Sequence, residues 1–312
     1  MLSIFLNTLP FFALIALGYG AARVGLFSQE ATQHLTRFVF YFALSAMLFR
    51  FAANLSLSEV LDGSFMLAYA IASLMVYGLA FTVARARKMS MDLSLIEAQS
   101  SVIGNMGWMG LAMLPILLGP AAVAPVMMVL IVDLILFGPL AVILIVGLRE
   151  GRLNAAVFGT IGKGLLKNPM VMSISLGLTW AALGWTVPMI ANQFLDLLAG
   201  ASTPGALFAI GASMAFVTVR QFQVPAWLSL NKLVIHPVVA GCVAVVWFDL
   251  DPFVASVMMA SAAMPVAGNV FMMANHYGID GQRVSVAILI STAASILTIP
   301  LWIEWSHTLL GL

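Results

Sequence analysis

Ten long apolar stretches run along the chain, separated by short polar or Gly/Pro-rich junctions. They lie near 2–22, 33–54, 63–86, 91–118, 122–148, 167–185, 189–218, 227–249, 253–277 and 284–309. Each is close to the roughly 20 apolar residues that a helix needs to cross a bilayer core. The pattern predicts an all-α membrane protein with ten transmembrane helices. The first stretch has no basic segment before it and is longer than a signal-peptide core, so it is expected to be retained as a helix. The fourth and ninth spans are interrupted. One reads Ser100-Ser101-Val102-Ile103-Gly104-Asn105-Met106-Gly107-Trp108-Met109-Gly110 with Pro115 beyond, the other Ser261-Ala262-Ala263-Met264-Pro265-Val266-Ala267-Gly268-Asn269.

Composition narrows the class. Of 312 residues, 62% are hydrophobic and 8% charged, against about one quarter charged in soluble domains. That excludes disorder, a coiled coil and a disulfide scaffold. A net charge of +1 without a basic patch excludes a nucleic-acid partner. The single Cys242 is expected to be a small packing residue. Position of charge says more than its amount. Arg23 and Arg37; Arg85, Arg87 and Lys88; Arg149, Arg152, Lys163 and Lys167; Arg220 and Lys232; and Arg283 all fall in or beside odd-numbered connections, twelve of the thirteen basic residues. Arg50 alone lies on the other face. By the positive-inside rule the odd connections are cytoplasmic and both termini are outside a cell (inner) membrane.

The chain also repeats. Pro10 recurs as Pro169, Leu48-Phe49 as Leu207-Phe208, Gly104-Asn105 as Gly268-Asn269, and Pro139 as Pro300, all at offsets near 160 residues. Two units follow, 1–150 and 151–312, joined by a basic loop around 149–166. Five spans per unit is an odd number, so the second copy enters the membrane inverted. Inverted 5+5 repeats with broken helices are a secondary-transporter architecture.

Glycine and proline at mid-membrane free backbone N–H and C=O groups, which are tolerated only inside protein or against an aqueous cavity. Half-helix N-termini then offer partial positive charge to an anion. The candidate substrate-binding residues are Gly104, Asn105, Gly107 and Pro115 from the fourth span and Met264, Pro265, Gly268 and Asn269 from the ninth. The amides of Asn105 and Asn269 carry both donor and acceptor. A kinked packing helix would explain either segment alone; two at matching positions favour a binding site.

At these residues the chain resembles the auxin efflux carrier family, in its bacterial branch of malonate and malate carriers. Leu9-Pro10…Leu17-Gly18-Tyr19-Gly20, Phe40-Tyr41…Leu48-Phe49, Gly104-Asn105-Met106-Gly107…Gly110…Pro115, Asn168-Pro169, Met264-Pro265…Asn269…Tyr277-Gly278 and Ser291-Thr292…Thr298-Ile299-Pro300 carry the likeness over essentially the whole chain. Ser45 stands where the family often has a proline, which puts the kink of the second helix in question. The long central loop of many plant members is missing. The resemblance implies a scaffold of helices 1, 2, 6 and 7 with the dimer contact, and a transport domain of helices 3–5 and 8–10 in which helices 4 and 9 cross at the substrate. It implies elevator-type movement of that domain in a homodimer.

Other polar residues lie inside the spans. Asp133 is near the middle of the fifth, where a carboxylate costs at least ~2.5–3.5 kcal/mol unless neutralised or paired. It reads as a proton carrier, as a Na⁺ ligand with backbone carbonyls, or as a structural hydrogen-bond partner. Gln99, Ser101, Ser295, Thr298 and His236 complete the candidate ion-coupling set; no other metal and no organic cofactor is expected. Lys232 and His236 are one turn apart, suited to a proton relay or to a bonded core histidine. Glu97 suits an inner vestibule or a pair with Lys88, and Arg50 an anion-attracting mouth or a snorkelling helix end. Asp196 and Glu304 read as interface residues. Trp185, Trp247, Trp302 and Trp305 suit an outer aromatic belt.

Catalytic motifs are poor. Four histidines build no HExxH, Gly211-Ala212-Ser213 has no histidine partner, and Gly162-Lys163-Gly164 is not a P-loop. The function expected is secondary transport of a small carboxylate such as malonate or malate, not an enzyme. A Na⁺/H⁺ antiporter, a bile-acid-symporter-like carrier, and a channel or sensor without turnover are the alternatives.

Overall fold

A computed structural model describes residues 2–54, 62–150, 155–219 and 221–312. The described chain is all-helical. In order the helices are α1 (Leu2–Arg23), α2 (Gln29–Ala53), α3 (Gly63–Ala86), α4 (Met91–Val102), α5 (Met106–Leu118), α6 (Pro120–Gly147), α7 (Ala155–Lys167), α8 (Pro169–Ala182), α9 (Met189–Met214), α10 (Gln223–Trp247), α11 (Pro252–Ala262), α12 (Gly268–His276) and α13 (Gln282–Leu310). Seven of these, α1, α2, α3, α6, α9, α10 and α13, are long and apolar enough to cross a membrane; α5, α8 and α11 are shorter apolar helices.

Short polar residues at the edges of the apolar runs start the helices. Ser28 caps α2 by accepting the Ala31 N–H at 3.1 Å, and Asp62 caps α3 by accepting from Ser64 and Phe65. Asn168 and Asp251 do the same for α8 and α11, each just before a proline whose missing N–H would have had no partner there.

Close helix pairs are made by missing side chains. A Cβ on Gly18 of α1 would lie 2.1 Å from the Phe208 carbonyl oxygen, and one on Gly211 of α9 would lie 1.8 Å from that of Ile15. The two backbones therefore touch, as small residues allow between membrane helices. Gly177 of α8 lies the same way against Phe49 and Ala52 of α2. Elsewhere α3 packs on α4, α6 and α10, and α11 on α10 and α13.

Several helices carry single wide turns. One spans Val39–Ala43, where the Ser45 hydroxyl donates to the Phe40 carbonyl at 3.2 Å, so α2 is irregular without the proline. Two others, Asp133–Phe137 and Asn231–Ile235, each end two residues before a proline. Such turns gather at functional positions, and these two hold the buried Asp133 and Lys232.

The structure corrects five expectations. Residues 155–167 form a helix, not a loop; of the basic hinge, 151–154 with Arg152 lie outside the described residues, as does Arg220. Cys242 is exposed on the outside of α10 and is not a packing residue. Trp302 is no belt residue, because its indole N–H donates to the Leu233 carbonyl at 2.6 Å. Arg50 is neither free nor snorkelling: it pairs with Asp196 and donates to Asn192 at 3.3 Å. Lys232 does not flank a loop. It is fully buried within α10, and the apolar residues on both sides of it hold it inside the helix.

Candidate functional site

The two interruptions meet. After α4 the chain is extended at Ile103 (φ −78°, ψ 109°), and before α12 it is extended at Ala267 (φ −80°, ψ 141°). These stretches run antiparallel, with Gly104 opposite Val266. The Asn105 N–H donates to the Pro265 carbonyl at 2.8 Å and the Ala267 N–H to the Ile103 carbonyl at 3.1 Å. The Val266 N–H donates to Ser291 Oγ of α13 at 3.1 Å. Groups released by one break are thus answered by the other, as an apolar surrounding demands. What remains is directional. The N–H groups of Gly107 and Trp108 at the start of α5, and of Gly268 and Asn269 at the start of α12, find no acceptor among the described residues. Two positive helix ends therefore flank one short bridge.

The expected substrate residues fall at this meeting, in unequal surroundings. Gly104 is buried with Met264 Cβ beside it; a Cβ of its own would lie 3.2 Å from that atom and 3.2 Å from Lys232 Nζ. Pro265 supplies its carbonyl. Asn105 is buried, with an amide side chain that bonds no described residue. Gly268 and Asn269 are exposed at the open start of α12. Gly107 is covered by the methyl end of Met170 from α8. Pro115 lies farther along α5, half-buried.

Directly behind the bridge sits a buried polar cluster. The Tyr69 hydroxyl of α3 donates to Asp133 Oδ1 of α6 at 3.1 Å, and Asp133 Oδ2 has no hydrogen-bond partner among the described residues. Lys232 Nζ of α10 donates to the Ala262 carbonyl at the end of α11 and lies 3.1 Å from His236 Nδ1. His236 Nε2 lies 2.9 Å from Ser73 Oγ of α3. A charged ammonium has only donors, so Nδ1 must accept and Nε2–H must point to Ser73. Asp133 and Lys232 are within coulombic range of one another. Asp133, His236 and the Lys232–His236 pairing are legible in the sequence; Tyr69 and Ser73 are not. By sequence Lys232 counts both as the partner of His236 and among the loop-flanking charges; its place inside an apolar stretch favours the former.

The rest of the coupling set divides. Gln99 Nε2 donates to the Phe137 carbonyl at 3.1 Å, which lies in the wide turn begun by Asp133. Ser101 and Ser295 bond carbonyls of their own helices, at 3.0 Å and 2.7 Å. The Thr298 hydroxyl is buried without a hydrogen-bond partner among the described residues. No group of three metal-ligating side chains occurs among the described residues.

Glu97 pairs with Arg87 and, at 2.9 Å, with Arg283, and not with Lys88. The turn after α3 explains the change: Lys88 takes a left-handed conformation (φ 59°) there, and Arg87 reaches the carboxylate instead.

A mostly apolar, multi-helix chain with two breaks bonded face to face is a multi-pass membrane protein built around irregular backbone. The comparisons with known proteins identify which kind. The chain matches the family described as membrane transport protein over residues 3–155 and 149–303. It belongs to that family, the auxin efflux carriers. It is 28% identical over 296 residues to a protein of Rhizobium meliloti (strain 1021) named "Putative malonate transporter", covering 93% of this chain and 92% of the other. An "Uncharacterized transporter" of Methanothermobacter thermautotrophicus is 24% identical, over 95% of this chain and 96% of that one. The "Uncharacterized transporter YfdV" of Escherichia coli (strain K12) is 23% identical, over 98% and 99%.

Proposed function

We propose that the protein is a secondary carrier of a small dicarboxylate of the malonate or malate type, held between the starts of α5 and α12. The observation that carries this reading is the antiparallel bridge of Gly104 and Val266. It aims two sets of unpaired backbone N–H groups at one region, with Asn105 and Asn269 beside them, and so suits an anion with two charged ends. The name of the Rhizobium relative points to the same substrate class. An inverted 5+5 repeat accounts for the two breaks at matching positions, with the fourth and ninth of ten helices crossing there. The loop charge supports termini on the outside of the cell (inner) membrane.

Elevator movement in a homodimer completes the proposal. The first pair of glycine-tight contacts, α1 on α9 and α2 on α8, suits a fixed scaffold; α3 to α6 and α10 to α13 suit a moving unit. Asp133, Lys232 and His236 lie in that unit, next to the substrate region, and suit coupling to H⁺ or Na⁺. A cation antiporter is a second reading, favoured by the buried Asp133 and Lys232 alone.

Counterflow of labelled malonate in proteoliposomes, with and without Na⁺ or a pH gradient, tests the function. Saturable counterflow that is lost in Asn105→Ala/Asn269→Ala supports it. Cation exchange without malonate counterflow supports the antiporter, and unitary currents in planar bilayers would support a channel.

A further inference from the structure

The two half-helix starts that form the bridge are not equally open. At α12, an added Cβ on Gly268 would meet nothing within 4 Å, and both Gly268 and Asn269 are exposed. At α5, a Cβ on Gly107 would lie 2.2 Å from Cε and 3.4 Å from Sδ of Met170, with Leu130 Cδ1 next at 3.9 Å. Met170 itself is 5% exposed. Its thioether end therefore rests on the bare Cα of Gly107, beside an N–H that no described residue accepts.

Met170 is held by its backbone. Pro169 opens α8, and Asn168 Oδ1 accepts the Met170 N–H at 2.9 Å. Behind it, α8 is fixed to α2 by the close approach of Gly177 to Phe49 and Ala52. The side chain is unbranched and adaptable, but its root is held at the start of α8, a different helix from α5. One end of the anion region is thus open and the other is stopped by a side chain of set length on a different helix.

We infer that Met170 is the specificity-determining residue for substrate length: it caps the α5 end of the site and limits the carrier to short dicarboxylates. The inference rests on the carboxylate reading above. Three heavy atoms of Met170 lie beyond its Cβ, and removing them leaves room for added methylenes next to the Gly107 N–H. One methylene more or fewer in an apolar pocket changes selectivity by about tenfold or more. In an elevator, this contact also has to part each time α5 slides past α8.

The test is a chain-length series, malonate, succinate and glutarate, read by substrate-induced thermal shift and by counterflow competition. Met170→Ala is expected to move the malonate-to-glutarate preference by about tenfold or more toward glutarate, while Met170→Leu keeps the wild-type order. Gly107→Ala is expected to abolish binding, because its Cβ takes the place of the Met170 methyl, and Met170→Ala in the same chain is expected to restore it. A purely structural methionine would lower all three substrates together. An unchanged chain-length order in Met170→Ala, or no rescue of Gly107→Ala, overturns the role of Met170 alone. A wild-type protein that binds none of the three overturns the carboxylate reading and this inference with it.

Discussion

The ammonium of Lys232 donates to the carbonyl oxygen of Ala262, the last residue of α11. A helix that stops in the middle of a membrane leaves its final carbonyls unanswered, with partial negative charge where water cannot reach. Lys232 answers one of them, with Asp133 within coulombic range across the cluster. The broken helix and the buried pair are therefore one construction.

Breaking a buried pair from one side costs more than removing both charges, because the partner is left alone in a low dielectric. Lys232→Met and Asp133→Asn are each expected to destabilise the protein, Lys232→Met by about 3–5 kcal/mol. The double variant is expected to be more stable than Lys232→Met alone. Thermal unfolding in detergent measures this. Equal, additive losses would mean that the two side chains do not sense each other. Asp133→Asn protein that still inserts is further expected to show an altered Na⁺ or pH dependence of uptake.

Glu97 offers a second ionic construction of a different kind. Its carboxylate is 1% exposed, but Arg87 and Arg283 are 31% and 20% exposed at the side chain. Each arginine can rehydrate if the acid is lost, whereas the acid cannot if an arginine is lost. One arginine still satisfies it, however. Glu97→Ala is expected to cost about 1–3 kcal/mol, and Arg87→Ala plus Arg283→Ala together more than the sum of the two single changes. A double-mutant cycle on melting temperature checks this; strict additivity would remove Glu97 as the shared partner.

Much of this architecture was legible in the order of residues, for physical reasons. Apolar length sets where helices fit, so most boundaries lie within a few residues of expectation. Glycine and proline inside apolar runs mark where backbone must find other partners, so both breaks were visible at Gly104 and Pro265. What was not legible is who answers whom. That Ser291 receives the Val266 N–H, or Arg87 and not Lys88 the Glu97 carboxylate, depends on approach between distant helices and on one left-handed turn. Lys232 was legible as the helical-turn neighbour of His236, but its full burial and its bond to the Ala262 carbonyl were not, because they depend on the approach of α11. Gly107 was singled out as a binding residue, but nothing in its neighbourhood along the chain announces Met170.

Trp302 and Leu233 give a third prediction. Pro237 has no N–H, so the carbonyl four residues earlier, Leu233, loses its partner within α10. The Trp302 indole of α13 takes that place at 2.6 Å. Trp302→Phe keeps most of the ring and deletes the donor, leaving a carbonyl orphaned in an apolar setting. The expected loss is about 1–3 kcal/mol, read as a lower melting temperature. In a Pro237→Ala background the backbone N–H returns, and Trp302→Phe should then cost much less. An equal loss in both backgrounds would mean that packing, and not the hydrogen bond, is what Trp302 contributes.

The two matched glycines of the breaks should respond in opposite ways to the same methyl group. At Gly268 an added Cβ meets nothing within 4 Å, so Gly268→Ala is expected to leave the melting temperature almost unchanged. At Gly104 the added Cβ would lie 3.2 Å from Lys232 Cε, 3.2 Å from Lys232 Nζ and 3.2 Å from Met264 Cβ. Met264 Cβ is fixed to backbone that the bridge holds, and Lys232 is pinned between Ala262 and His236. Neither can give the few tenths of an ångström required without releasing a hydrogen bond. Gly104→Ala is therefore expected to cost about 1–3 kcal/mol, the usual range for overpacking. The loss should shrink in a Lys232→Met background, where the thioether chain can bend away. A coupling of at least about 0.5 kcal/mol in that cycle is the mark of direct contact. If Gly104→Ala and Gly268→Ala melt alike, the lysine does not press on the bridge, and the link between the buried cluster and the substrate region is lost.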